Sequence, residues 1–194
     1  MTEAGIGRLL VASLHQGVAD LLPSRQEFYA AWLNPANLRS GRIGLAPLAA
    51  VLSFLRQEGA PYSLVTTRAG EYAAEWTVGA LPEWRRRLIH AAPPAIRMVF
   101  VGWIARSLVR STYRPSRMDL RWSAGRAEAL LKSSIFCEVR DPVARPLCEY
   151  YAAAIRRLMR LFGLHAEVVI EHCRGVEPGS CRIVVLVQPA GAEA

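Results

Sequence analysis

Residues 148–187 read CEYYAAAIRRLMRLFGLHAEVVIEHCRGVEPGSCRIVVLV, and the hydrophobic period of this stretch changes once along its length. In the first half, apolar residues recur every three or four positions, which predicts a helix over 143–162 that Gly163 closes. In the second half, two β-prone runs, 166–173 and 181–188, flank a loop rich in Gly and Pro. This pattern predicts a helix packed on an antiparallel hairpin. The apolar stripe of the helix contains Val143, Leu147, Tyr151, Ile155, Leu158 and Phe162.

Upstream of this stretch, the same periods predict helices first and strands afterwards. Ser24 and Glu27 form a capping-box pattern for the second of the helices. Helices followed by an antiparallel sheet indicate an α+β fold. Helices are predicted over 6–22, 24–33, 47–56, 71–78, 81–90 and 94–110, and β-prone runs over 62–67, 119–123, 128–132 and 134–140.

Composition limits the class of protein. The chain has 194 residues, with 52% hydrophobic and 21% charged residues, which is typical of one globular domain. The net charge is +8, but the arginines are mostly scattered, so we expect a solvated basic surface and no nucleic-acid partner. No secretory signal is visible at the start, and we expect a cytoplasmic protein. The apolar stretch 91–109 contains Arg97 and Arg106, which predicts a buried helix rather than a membrane span.

Four cysteines lie in the last third of the chain: Cys137, Cys148, Cys173 and Cys181. Cys148 opens the predicted helix beside an aromatic pair, and an acidic residue precedes the Cys173–Cys181 pair on the hairpin. This arrangement resembles the 4-vinyl-reductase domain family, a relative of the TRAPP fold, over residues 119–187. The resemblance implies a structural zinc held by Cys148, Glu171, Cys173 and Cys181. The chain has E-H-C where the family has E-x-x-C, which leaves His172 or Cys137 as substitutes for Glu171.

The geometry of a hairpin supports a site at these residues. If Cys173 faces Cys181 across the hairpin, both side chains lie on one face of the sheet, and Glu171 lies on that face as well. Three thiolates and a carboxylate satisfy a tetrahedral zinc ion with no position open for a catalytic water. The alternative is that the cysteines are buried apolar residues without metal.

The resemblance also implies a function in binding a small apolar ligand, aromatic or tetrapyrrole-like, as a carrier, sensor or accessory protein of bacteriochlorophyll synthesis. We predict a ligand cavity between the central helices and the sheet. A core role is the alternative for each of its predicted lining residues. These are Phe100, Trp103, Trp122, Phe136 and Tyr151.

Two other functions stay open at this point. One is a homodimeric interaction scaffold of TRAPP-like type. The other is a vinyl reductase, although no nicotinamide, flavin or catalytic motif is legible, so a non-enzymatic role is favoured. In each case we expect one unit, in which residues 1–60 form an N-terminal helical part and residues 61–194 carry the ligand and the zinc.

Overall fold

The computed structural model describes residues 5–33, 44–123, 125–139 and 142–187. These residues form seven α-helices and four β-strands, and the predicted α+β class is confirmed. The predicted strand ends Arg140 and Gln188 lie outside the described residues. The elements are α1 (Arg8–Leu21), α2 (Gln26–Trp32), α3 (Leu45–Gln57), α4 (Ala60–Gly79), α5 (Glu83–Ala91), α6 (Pro94–Thr112), β1 (Arg117–Ser123), β2 (Arg126–Lys132), α7 (Glu149–Leu161), β3 (Ala166–His172) and β4 (Cys181–Val187).

The four strands form one antiparallel sheet in the order β1-β2-β4-β3. β2 alternates between buried and less buried residues, because the helices cover one face of the sheet and the other face meets solvent. Helix α7 packs against β3 and against α4 and α6. The predicted helix on a hairpin is therefore present, and the hairpin is the β3–β4 half of the sheet.

Helix α4 lies at the centre of the helical layer, between α1 and α7. Gly70 of α4 allows this position: a Cβ atom there would lie 2.2 Å from the carbonyl oxygen of Tyr150 in α7. Any larger residue would push the two helices apart. Gly102 of α6 plays the same part against the sheet, since a Cβ atom there would lie 2.9 Å from the ring of Trp122.

Two predicted strand segments are not strands. The prediction for 62–67 was wrong, since this run forms the start of α4, where Tyr62, Val65 and Thr66 are buried at helical spacing. Packing on this face outweighs the strand preference of valine and threonine. The prediction for 134–140 was wrong as well, because residues Ile135–Cys137 form a 3-10 helix. Ser133, which has a positive φ of 54°, ends β2 and turns the chain there.

Helix α7 begins at Glu149, six residues later than the predicted helix. The backbone groups of residues 143 and 147, which precede α7, form hydrogen bonds to residues elsewhere in the fold instead of within a helix. The N–H of Val143 donates to the carbonyl of Gly175 at 2.8 Å, and the carbonyl of Leu147 accepts from the hydroxyl of Tyr62 at 3.1 Å. Pro146 also lacks the N–H that a helix would need.

Helix α6 buries only one of its sides. Val101, Ala105 and Leu108 are buried, whereas Ile96, Val99 and Trp103 are exposed, so the prediction of a buried helix over 91–109 was wrong for half of its surface. Within the described residues, no helix is both long enough and apolar enough to cross a membrane.

Candidate metal centre and ligand groove

Four separate elements bring all four cysteines to one place. Cys137 ends the 3-10 helix, Cys148 is the N-cap residue of α7, Cys173 directly follows β3, and Cys181 begins β4. All four are buried, and their Sγ atoms lie within 4.8 Å of one another. We call this set the cysteine cluster. It lies between the helical layer and the sheet, beside the start of the loop that joins β3 to β4.

The sulfur–sulfur distances are short and similar. Cys148 lies 2.9 Å from Cys181, 3.1 Å from Cys137 and 3.3 Å from Cys173, measured between Sγ atoms. Cys137 lies 3.5 Å from both Cys173 and Cys181. A tetrahedral ion with metal–sulfur bonds of about 2.3 Å separates its sulfurs by roughly 3.8 Å. Movements of a few tenths of an ångström would therefore fit the four thiolates around one ion.

Hydrogen bonds to two of the sulfurs favour the thiolate form. The N–H of Leu147 donates to Sγ of Cys173 at 3.2 Å, and the N–H of Arg174 donates to Sγ of Cys181 at 3.4 Å. The pKa of Cys173 is lowered, because the three neighbouring thiols and the Leu147 N–H donate hydrogen bonds to it. The pKa of Cys148 is raised by its hydrogen bonds to the other thiols and by burial. The backbone N–H groups therefore favour the thiolate form at Cys173 and Cys181 over that at Cys148.

Glu171 lies outside the cluster, on the solvent face of the sheet. Its carboxylate pairs with Arg126 at 2.9 Å and lies 3.9 Å from Arg182. The cause is a β-bulge: Ile170 pairs with Ile183 and His172 with Arg182, so Glu171 is an extra residue on β3. The bulge changes the phase of the strand, so that Glu171 faces solvent and Cys173 faces the helices.

The fourth thiol of the cluster is that of Cys137, one of the two substitutes that the sequence left open. His172, the other substitute, donates from Nδ1–H to the carbonyl of Ser180 at 2.8 Å and takes no part in the cluster. Sequence reasoning placed Cys137 on a strand. The signal that could have assigned it is the number of cysteines, since four thiols confined to one third of a chain make a complete tetrahedral set.

The predicted ligand residues divide into two groups. Phe136 and Tyr151 are fully buried and pack with Tyr150, at ring-centre distances of 4.9 Å for Phe136–Tyr150 and 5.5 Å for Phe136–Tyr151. The hydroxyl of Tyr151 lies 3.3 Å from that of Thr112, and burial raises the pKa of Tyr151 to about 12. Trp122 lies beside the space between α6 and the sheet, which measures only about 10 Å³. Phe136 and Tyr151 thus lie in the packed core, and the space beside Trp122 is too small for an organic ligand.

Phe100 and Trp103 instead line an open groove of about 430 Å³ between α5, α6 and the end of α4. Trp84 and Leu88 of α5 form its opposite wall, and Arg85 stands at its edge with its guanidinium 5.4 Å from the ring centre of Trp84. The volume lies within the range of pockets that hold small organic molecules. We call this feature the α5–α6 groove.

The whole chain is similar to solved H-NOX structures. A mutant of an H-NOX protein from K. algicida, in the Fe(II) unliganded state, has 14% identity and a TM-score of 0.60 over 96% of this chain and 98% of its own. The H-NOX protein from K. algicida without that substitution has 10% identity and a TM-score of 0.56, over 97% and 100% of the chains. An H-NOX protein from S. oneidensis, in the Fe(II)NO ligation state, has 10% identity and a TM-score of 0.54, over 95% and 100%. At these identities the likeness shows the fold alone. No protein-family model and no curated protein matches the sequence.

These neighbours correct two predictions. The assignment to the 4-vinyl-reductase family with its TRAPP-like fold was wrong, because the structures that match the chain from end to end are H-NOX proteins. The role in bacteriochlorophyll synthesis and the TRAPP-type scaffold depended on that assignment and are withdrawn with it. The prediction of zinc is withdrawn as well, since the metal in the neighbouring structures is Fe(II) and four clustered thiols do not identify zinc.

Proposed function

We propose that the protein is a small-ligand-binding module whose helical layer and sheet are fastened together by a thiophilic metal ion in the cysteine cluster. The observation that carries this proposal is the convergence of four buried thiols from four elements. A tetrahedral set of four sulfurs is typical of sites for soft transition metals. With all four positions taken by protein ligands, the ion would have a structural role and no place for a catalytic water.

The surroundings of the cluster agree with a metal centre. The two N–H groups that donate to Cys173 and Cys181 are the kind of outer contact that orients thiolate ligands. The loop after Cys173 is held in place, since the carbonyl of Cys173 accepts from the N–H groups of Val176 and Glu177 at 2.9 and 3.0 Å. A set of ligands held in this way loses little further freedom when an ion binds.

The experiment is a measurement of metal content on protein purified without chelator, with mass spectrometry covering the first-row transition metals. We expect close to one equivalent of a single metal per chain. Loading the apo-protein with Co(II) gives a second readout, because a tetrahedral tetrathiolate gives intense ligand-field and charge-transfer absorption. Less than half an equivalent of any metal, together with no such spectrum, would contradict the proposed centre.

The finer part of the proposal places the ligand in the α5–α6 groove. Its walls are aromatic and aliphatic, and its polar edge is limited to Arg85, Thr77 and Ser107. Such a lining suits a small aromatic molecule with one polar or anionic group that the guanidinium can meet. We assign the protein this binding role rather than catalysis. The predicted homodimer stays a prediction.

Haem is a ligand that the neighbouring structures suggest, because they hold Fe(II) and one of them holds it with NO bound, but the grooves of this chain do not favour it. A haem iron needs a His, Cys, Met or Tyr side chain facing a space large enough for the macrocycle. Three grooves in the described residues measure about 350 to 430 Å³, and none of the three has a His, Cys or Met in its wall. Tyr62 lines one of them, but its hydroxyl is engaged by the carbonyl of Leu147. None of these three grooves in the described residues therefore offers a free side chain for a haem iron.

A further inference from the structure

Helices α5 and α6 expose a row of large apolar side chains on one side of the molecule. The exposed fractions are 63% for Trp84, 57% for Leu88, 51% for Ile96, 42% for Val99 and 59% for Trp103. Trp84, Leu88 and Trp103 line the same groove, and Ile96 and Val99 precede Trp103 at helical spacing. The row is therefore continuous. We call these five side chains the α5–α6 face.

The charge around this face is mostly positive. Residues 83–112 contain six arginines and one acid, Glu83. By the 100° turn between successive helical residues, Arg85 and Arg87 flank Trp84 and Leu88 on opposite sides, and Arg110 continues the line of the α6 side chains. Arg85 and Arg110 are exposed, and Arg87 is exposed while paired with Glu83. Arg97 is turned inward, where it donates to the carbonyls of Phe162, His90 and Ala92.

We propose that the α5–α6 face docks the protein on an anionic phospholipid surface. Exposed tryptophans beside arginines are typical of segments that lie in a membrane interface, with the rings at headgroup depth and the cations at the phosphates. A second copy of the chain fits this face poorly. A two-fold contact brings a patch against itself, which would set the arginine rims of both copies together with only Glu83 on each side to offset them.

Docking in this way gives the groove an entrance from the lipid. Its mouth is formed by Trp84, Leu88 and Trp103, which are members of the face itself. A ligand that dissolves in the bilayer could then enter the groove without crossing water. This consequence for the ligand rests on the proposed function, whereas the docking rests only on the face and its charge.

The test uses the full chain and vesicles of equimolar phosphatidylglycerol and phosphatidylcholine, compared with pure phosphatidylcholine, in a co-sedimentation assay at low and high salt. We expect binding to the anionic vesicles that weakens with salt. The double variant Arg85→Glu/Arg87→Glu should bind about tenfold more weakly or worse. The matched control is Arg121→Glu/Arg182→Glu, which reverses two exposed arginines on the sheet and should bind as the wild type does.

A second readout locates the contact. Brominated lipids should quench tryptophan fluorescence in the wild type and in Trp122→Phe, and the quenching should be largely lost in Trp84→Phe/Trp103→Phe. Circular dichroism checks that each variant is folded. The inference is overturned if anionic vesicles bind no more than neutral ones, if both arginine pairs have equal effects, or if light scattering shows a dimer that Trp103→Glu dissociates. Metal content and ligand titration of the same samples report separately on the proposed function.

Discussion

The cysteine cluster and the α5–α6 face differ in burial, in side-chain chemistry and in how completely the protein covers them. In the cluster, four soft side chains from four elements are buried and touch one another. In the face, large apolar side chains from two neighbouring helices point outward and have no protein cover within the described residues. The thiols of the cluster are covered by the protein and by one another, whereas the face exposes apolar surface to water, which is unfavourable. If the four thiols bind a metal, their burial favours a structural role for it. An open apolar surface of this size is the kind that external partners cover.

The largest expected effect is the loss of one thiol from the cluster. Cys173→Ser should abolish metal binding and lower the free energy of unfolding by about 3 kcal/mol or more, because metal binding to a folded site contributes directly to folding. Chelator should bring the wild type down to the same level while leaving the variant unchanged. Denaturant titration with and without chelator measures both. His172→Gln is the control and should keep full metal content, and a Cys173→Ser protein that stayed fully metallated would contradict the four-thiol centre.

A large effect is also expected from Phe136, which stacks on Tyr150 in the core. Phe136→Ala should cost about 3–5 kcal/mol, because it removes a fully buried ring and leaves a cavity. Phe28→Ala makes the same change at a ring that is 45% exposed, and we expect about 1 kcal/mol there. The difference between the two, measured by urea unfolding, tests whether Phe136 is a core residue. Equal costs would reopen its role in holding a ligand.

Trp103 should show the opposite behaviour. Trp103→Ala should change stability by about 1 kcal/mol or less, since the side chain is mostly exposed, but it should weaken binding of an aromatic probe such as 2-naphthol about tenfold. Calorimetric titration avoids the change in fluorescence that the substitution itself brings. Trp122→Ala is the matched control, because that ring packs beside Gly102 outside the groove. If Trp122 mattered as much as Trp103, the groove would not be the binding site.

The smallest effect is expected from Glu171. Glu171→Gln removes its charge-assisted contact with Arg126, which is partly exposed, so stability should change by less than about 1 kcal/mol. Metal content should not change at all. Metal analysis of this variant is informative in either direction, because a loss of the ion would return Glu171 to the ligand set.

The sequence predicted the elements whose hydrophobic pattern depends only on residues close by in the chain. Tyr151, Ile155 and Leu158 of the predicted stripe lie in α7, and the strand pair β3–β4 is present; both follow from local periodicity. The broad order, with most helices before the antiparallel sheet, also agrees with the structure. The start of α4 could not be read in this way. Its residues 62–67 prefer strands locally, and only their burial against other helices makes them helical.

The cluster was predicted in part for a similar reason. Strict alternation along a strand placed Glu171 and Cys173 on one face, and a single inserted residue in β3 separates them. A bulge leaves no signature in composition, so spacing alone could not place Glu171 on the solvent side. The sequence predicts a strand at Cys137, which leaves its place in the cluster open, whereas the structure has a short 3-10 helix there that brings its thiol 3.1 Å from that of Cys148.

Because the four sulfurs are buried, the rate at which a bound metal leaves the cluster would report how often the structure opens locally. Because each thiol is nearly inaccessible, a chelator could reach the proposed ion only when α7, the 3-10 helix or the hairpin loop lifts away. The rate at which metal leaves should then become independent of chelator concentration once the chelator is abundant, and its limiting value would equal the opening rate of this corner of the domain. The limiting rate of metal release would then measure how often the helical layer and the sheet separate at this site.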